Sequence, residues 1–208
     1  MKKKSGKIRE KNSLKILLAA ESEFVKHGYK GTSMQVIADA ADLPKANVLY
    51  YFKSKSVLYA SVFENIIERW NEVLEDMSEF DDPAITLKCY IETKIDLSIR
   101  YPAASKIFAM EIIQGAPHRQ EYLRTDQRQW VKEKSRIIDS WIKQGKMAAV
   151  SAEHLIYMIW SCTQHYADFD AQVLTVSNKQ EYDLDDIQQI KDFLCQVILT
   201  GCGLQVPV

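Results

Sequence analysis

Lys45, Asn47, Tyr50, Tyr51 and Lys55 fall within eleven consecutive positions and hold the donors, acceptors and positive charge that a nucleic-acid surface calls for. An asparagine amide offers a donor and an acceptor to the edge of adenine, while tyrosine hydroxyls and lysine ammonium groups meet phosphates. Consecutive helical positions face about 100° apart, so one of the two tyrosines belongs to a core; Tyr50 is taken as the outward one. Arg9 and Lys11 extend the basic surface upstream. The run Lys2, Lys3, Lys4 and Lys7 also extends it, and it reads equally as a solvated tail.

Charge along the chain agrees with this placement. The 27 basic and 28 acidic side chains leave a formal net charge of -1, but residues 1–55 hold 12 basic against 5 acidic groups, a balance of +7, leaving -8 for the remainder. A chain of 208 residues that is 47% apolar can bury a real core, either as one large domain or as a small domain joined to a larger one. No apolar run approaches the roughly eighteen residues of a bilayer span. The basic start is followed only by the short apolar stretch from Ile16 to Ala20, closed by Glu21, so no signal-peptide core is present and a cytoplasmic location without a membrane partner is expected. Cys89, Cys162, Cys195 and Cys202 show no C-x-x-C spacing and are expected as reduced thiols. None of His27, His118, His154 and His165 has a glutamate three positions before it, so the metal-bundle signature is missing. Neither a P-loop nor a G-x-S-x-G elbow occurs. No catalytic residue, metal site or cofactor is expected, although a helical enzyme or a helical adaptor remains the alternative from another class.

These residues need elements to position them, and nearly every segment carries 3.6-residue apolar periodicity. Leu14, Leu17, Leu18, Phe24 and Val25 share one helical face, and Gly28 stops that helix. Thr32 or Ser33 caps a short helix with Met34, Ile37, Ala38 and Ala41 inward. Pro44 opens a third helix ending near Phe52, and Ser54 caps a fourth with the stripe Leu58, Val62, Ile66, Trp70, Val73, Leu74 and Met77. Further helices are predicted at about 84–101, 103–114, 118–144, 152–171 and 184–201, separated by Asp82-Pro83, Tyr101-Pro102, Gly115-Ala116-Pro117, Gly145 and the polar stretch from Ser177 to Asp183. The fold class is therefore all-α, with about nine helices arranged three plus six: a DNA-binding helix-turn-helix domain over 1–54 with a basic arm, and a larger helical domain over 55–208, to which the family resemblance described next assigns effector binding and dimerisation. Helix, short turn, helix across residues 33–52 sets the second helix in a major groove and the first across the backbone.

The stretch from Phe24 to Ala38, with Gly28-Tyr29-Lys30-Gly31-Thr32-Ser33-Met34-Gln35, and the segment Asn47-Val48-Leu49-Tyr50-Tyr51-Phe52-Lys53-Ser54-Lys55 resemble the TetR family of bacterial one-component transcription regulators. That resemblance adds Thr32, Ser33, Gln35 and Ala46 to the DNA-binding set. Pro44, Ala46, Asn47 and Leu49 depart from the family's usual Ser, Gly, Thr and first Tyr, so no typical member's operator carries over. It further implies a double-stranded operator, a homodimer and a small effector that modulates a repressor. Tyr101 to Glu111, Gly115-Ala116-Pro117 and Met158 to Phe169 are similar to the pyrimidine-utilisation branch of that family, which implies an effector such as uracil or thymine and a pocket including Met110.

The residues allow such a pocket. Trp160, Thr163, Gln164 and Ala167 share one helical face; an indole offers a stacking surface, and an amide matches the alternating acceptors and donor of a uracil edge. Trp70 suits the opposite wall and suits plain core packing equally, being in line with Ile66 and Leu74. His165 and Tyr166 lie beside that face and fit a core or dimer role. Apolar positions in excess of one interior side on the last two predicted helices, including Leu155, Tyr157, Met158, Ile159, Phe193, Leu194, Val197, Ile198 and Leu199, fit a four-helix interface between two copies.

Overall fold

The computed structural model describes the backbone of residues 2–207 and the side chains of residues 9–207. Lys2, Lys3, Lys4 and Lys7, the arm part of the basic run, have side chains outside the described residues. Among the described residues the chain is helical with no strand, as its periodicity predicts, and it divides into two compact units.

The first unit comprises Met1–Arg69 with Lys106–Phe108. It contains α1 (Lys2–Gly31), α2 (Met34–Ala40), α3 (Lys45–Tyr51) and most of α4 (Lys55–Asn71). Its extent runs past the charge and cap changeover at Ser54, because α4 shares a core with α1. The buried stripe of α1 is Ile16, Leu17, Ala20 and Phe24, whereas Leu14 and Leu18 are 50% and 44% exposed. Positions 16, 20 and 24 repeat at i+4, and that row decides the inward face. Gly28 leaves the helical path at φ 67, a conformation that costs glycine little. Thr32, 1% exposed, secures the reversal by donating Oγ1 to the carbonyls of Gly28 at 2.8 Å and Glu23 at 3.0 Å. Ser33 Oγ accepts from Val36 N and caps α2. Between α2 and α3 the chain turns through Asp42 at φ 49, with Leu43 N donating to Ala38 O at 3.0 Å. Ile37, Ala38, Ala41, Val48 and Leu58 are buried at this junction. Phe24, Tyr29, Tyr59 and Phe63 form an aromatic cluster with centroids about 5 Å apart for the Phe24–Tyr59, Tyr29–Tyr59 and Tyr59–Phe63 pairs. Arg69 of α4 donates to the buried Glu21 carboxylate of α1 at 2.7 Å.

The second unit comprises Trp70–Ser105 and Ala109–Val208. It begins with the end of α4 and a 3₁₀ turn at Glu72–Leu74, continues through α5 (Pro83–Arg100) and contains most of α6 (Pro102–Ile113). Then come α7 (Gln120–Tyr122), a π-helical turn at Leu123–Gln127, α8 (Arg128–Lys143), α9 (Ala152–Asp168), α10 (Asp170–Val176) and α11 (Leu184–Gly201). The surplus over nine helices arises where expected long segments are interrupted. The 152–171 segment breaks at Phe169 (φ -120, ψ 28), and α10 then runs on into sequence without any glycine or proline to mark the change. α5 packs on both α9 and α11, and α8 packs on α9. Their interior contains Leu87, Tyr90, Ile91, Ile95, Trp141, Leu155, Ile156, Ile159, Leu194 and Ile198. Asp82 caps α5 and an Asp183/Asp186 capping box opens α11. Among the described residues no helix is long and apolar enough to cross a membrane.

Candidate nucleic-acid interface and effector site

Buried Val48 anchors α3 from below, so the opposite face of the helix is presented outward. Lys45, Ala46 and Asn47, in its first turn, are exposed, and Tyr50 is 73% exposed. Tyr51 is half-buried, with its hydroxyl accepting from Asn12 Nδ2 at 3.4 Å and its ring edge-on to Tyr50. The neighbouring tyrosines thus part as the 100° step requires. Arg9 and Lys11 are exposed on α1. Gln35 is exposed on α2 and donates to Asp39 at 2.8 Å, while exposed Ser33 holds the cap.

Two members of the expected DNA-binding set are turned inward. Thr32 is buried in the α1–α2 reversal. Lys55 donates Nζ to the carbonyls of Tyr29 at 2.8 Å and Thr32 at 2.9 Å and lies 4.5 Å from the Tyr29 ring centroid. These acceptors lie 26 and 23 residues upstream, beyond the reach of any local pattern. Ser54 Oγ accepts from Val57 N and caps α4. The exposed surface of α3 with Arg9 and Lys11 is a set of donors, one amide and positive charge, which is chemistry suited to phosphates and base edges.

In the second unit, α9 supplies four of the expected effector residues. Thr163 and Ala167 are fully buried, and Trp160 and Gln164 half-buried. The Thr163 hydroxyl donates to Ile159 O within its own helix at 2.7 Å, and Trp160 Nε1 donates to the buried Tyr90 hydroxyl at 2.7 Å. Gln164 brings an amide to that face. Met110 of α6 is half-buried. His165 is exposed and stacks on Phe169 at 5.1 Å, and Tyr166 is half-buried, its carbonyl accepting from the Tyr182 hydroxyl. Among the described residues no three His, Cys, Asp or Glu side chains group as a metal site.

Trp70 is 9% exposed, and its ring faces a residue that sequence reasoning missed. Lys94 of α5 is 1% exposed, with Nζ 4.0 Å from the Trp70 ring centroid. Burial pushes its ammonium down to about 7, with the Asp168 carboxylate acting in the opposite direction. Asp168, the last residue of α9, accepts from Ser105 Oγ of α6 at 2.6 Å. One turn beyond Lys94, Ser98 is also 1% exposed, and its Oγ has no hydrogen-bond partner among the described residues. The only signal in the sequence was a lysine set between Ile91, Ile95 and Ser98 on an otherwise apolar face.

Comparison with known proteins covers both units. Residues 16–62 match the family described as bacterial regulatory proteins, tetR family, and residues 63–205 match the YcdC-like protein, C-terminal region. The chain is similar to the HTH-type transcriptional regulator RutR of Escherichia coli (strain K12), 39% identical over 186 residues that span 89% of this chain and 88% of that protein. The solved structure of AibR in complex with isovaleryl coenzyme A and operator DNA is similar with TM-score 0.66 and 17% identity, covering 95% of this chain and 100% of that one. A ketosteroid transcriptional regulator of Mycobacterium tuberculosis is similar with TM-score 0.66 and 17% identity, over 91% and 93% of the two chains. At those identities the two structures speak for the fold alone.

Proposed function

Because the chain belongs to the TetR family of bacterial regulatory proteins, we propose that it is a cytoplasmic repressor that binds a palindromic operator as a homodimer and responds to a pyrimidine, uracil or thymine. The family is one of transcriptional regulators and not of enzymes. The observation that carries this reading is the 39% identity with RutR, because it runs through both the reading helix and the larger unit. The motif from Met158 to Phe169 supports the pyrimidine. Exposed Lys45, Asn47 and Tyr50 support base reading by α3. Tyr157, Met158, Phe193 and Val197, 41% to 60% exposed on α9 and α11, support a four-helix interface with a second copy. No cofactor is needed for such a protein, since binding alone does the regulatory work.

The effector acts by preferring one conformation. A ligand shifts the balance between DNA-competent and DNA-incompetent forms only by its differential affinity for them, typically a coupling that changes operator affinity about 5- to 150-fold. The test is a gel shift on an operator selected from genomic DNA, titrated with and without uracil or thymine. A midpoint moved by either base is the expected result. An unmoved midpoint would leave a TetR-type regulator that answers to another small molecule, and failure to select any DNA would favour a helical adaptor.

A further inference from the structure

Lys94 and Ser98 are polar groups in the interior of the second unit. Four residues apart on α5, they lie one above the other on its buried face, each 1% exposed. A serine inside a helix commonly returns its hydroxyl to the carbonyl one turn back; Ser98 Oγ has no partner among the described residues, and buried hydroxyls left in that state are rare enough to require a reason. Lys94 has three N–H donors and turns its ammonium to the Trp70 face at 4.0 Å. The carboxylate that bears on it, Asp168, is already held by Ser105 at 2.6 Å. A core that needed only packing is served by apolar side chains at both positions, and a buried ionisable group is commoner where a site has work for it.

We propose that Lys94 and Ser98 are the recognition pair for the effector, their ammonium and hydroxyl donating to the two carbonyl oxygens of one flat cyclic imide of the pyrimidine-2,4-dione class. Trp70 flanks the pair as an aromatic wall, and Gln164 on α9 serves the remaining ring edge. This assignment rests on reading the protein as a pyrimidine-responsive regulator. The charged donor dominates affinity and the hydroxyl refines it, since hydrogen bonds to charged groups are the stronger.

The test is isothermal titration of the intact chain with uracil and with thymine, the uracil titration being repeated on Lys94→Met and Ser98→Ala. Expected are losses of roughly 10- to 100-fold for Lys94→Met and roughly 3- to 10-fold for Ser98→Ala, with helical content and operator affinity in the absence of uracil unchanged. A second arm uses 4-thiouracil, in which a weak sulfur acceptor replaces one carbonyl oxygen. The analogue binds wild type more weakly than uracil does, and in one of the two variants that difference disappears, because the partner donor is already gone. Equal uracil affinity in wild type and both variants overturns the assignment while leaving the regulator intact. So does a variant loss that is independent of the 4-thio replacement in both cases, which marks a merely structural effect. Absence of uracil and thymine binding to wild type is seen in the first titrations and overturns the pyrimidine reading itself, and this assignment with it.

Discussion

Asn47 and Lys55 are both polar, both close to the reading helix, and have opposite surroundings. Asn47 projects from the first turn of α3 into solvent, so Asn47→Ala should leave the melting temperature unchanged and lose roughly 1–3 kcal/mol of discrimination at one base pair. Competition binding with operators substituted one position at a time checks this, and a loss uniform across all positions counts against base reading. Lys55 binds two carbonyls of its own unit. Lys55→Ala should therefore lower stability by roughly 1.5–3 kcal/mol, as for other bonds to a charged group, which denaturant unfolding measures. If its salt slope of operator binding falls by about one as well, the third N–H also reaches a phosphate. Lys94 makes a prediction through pH. Its folded pKa of about 7 lies below the ordinary 10.5, so between those values the unfolded chain holds the extra proton and stability rises with pH. Lys94→Met should stabilise the protein by a few kcal/mol, on the order of the shift, below pH 7. The gain should shrink as pH approaches 10.5, and a gain that is constant with pH contradicts the burial penalty.

At the scale of elements, caps and turns were mostly legible because their chemistry is local. Ser33 and Ser54 take the backbone amides that a helix start leaves open, as their positions predict, and Asp82 and Asp183, marked in the sequence only as breaks, do the same. Removing one gives a modest effect: Ser33→Ala should cost about 1 kcal/mol, read as a lower unfolding midpoint with the slope unchanged. Gly28→Ala meets no steric obstacle, with nothing within 4 Å of an added Cβ, yet it forces a side chain into φ 67 and should destabilise the α1–α2 reversal. The break at Phe169 had no such local mark. It lies beside the Ser105–Asp168 bond, a contact between residues 63 apart, and apolar periodicity runs across it without interruption. On α1 the structure buries Leu17 and Phe24 of the expected face and exposes Leu14 and Leu18, for a related reason: Leu14 and Leu18 are as apolar as Ile16 and Ala20, and only the packing partner decides between the two rows.

For the whole molecule, the exposed apolar side chains of α9 and α11 set the decisive test. Phe193→Glu with Val197→Glu should leave the single chain folded, these positions being 60% and 52% exposed, while light scattering reports a monomer and operator affinity falls steeply. A dimer that persists in this variant places the interface elsewhere. The all-α class and the helix-turn-helix follow from the sequence alone, because periodicity and caps act over a few residues at a time, and the family follows from the resemblance carried by the segments 24–38 and 47–55. Tertiary structure alone decided which polar side chains face inward. In the sequence Lys55 looks like a phosphate-facing lysine, and Lys94 is marked only by the apolar positions around it; what makes one a brace and the other a buried donor is the company of carbonyls 23 and 26 residues away and of a tryptophan ring on another helix, and burial is a property of the packed whole.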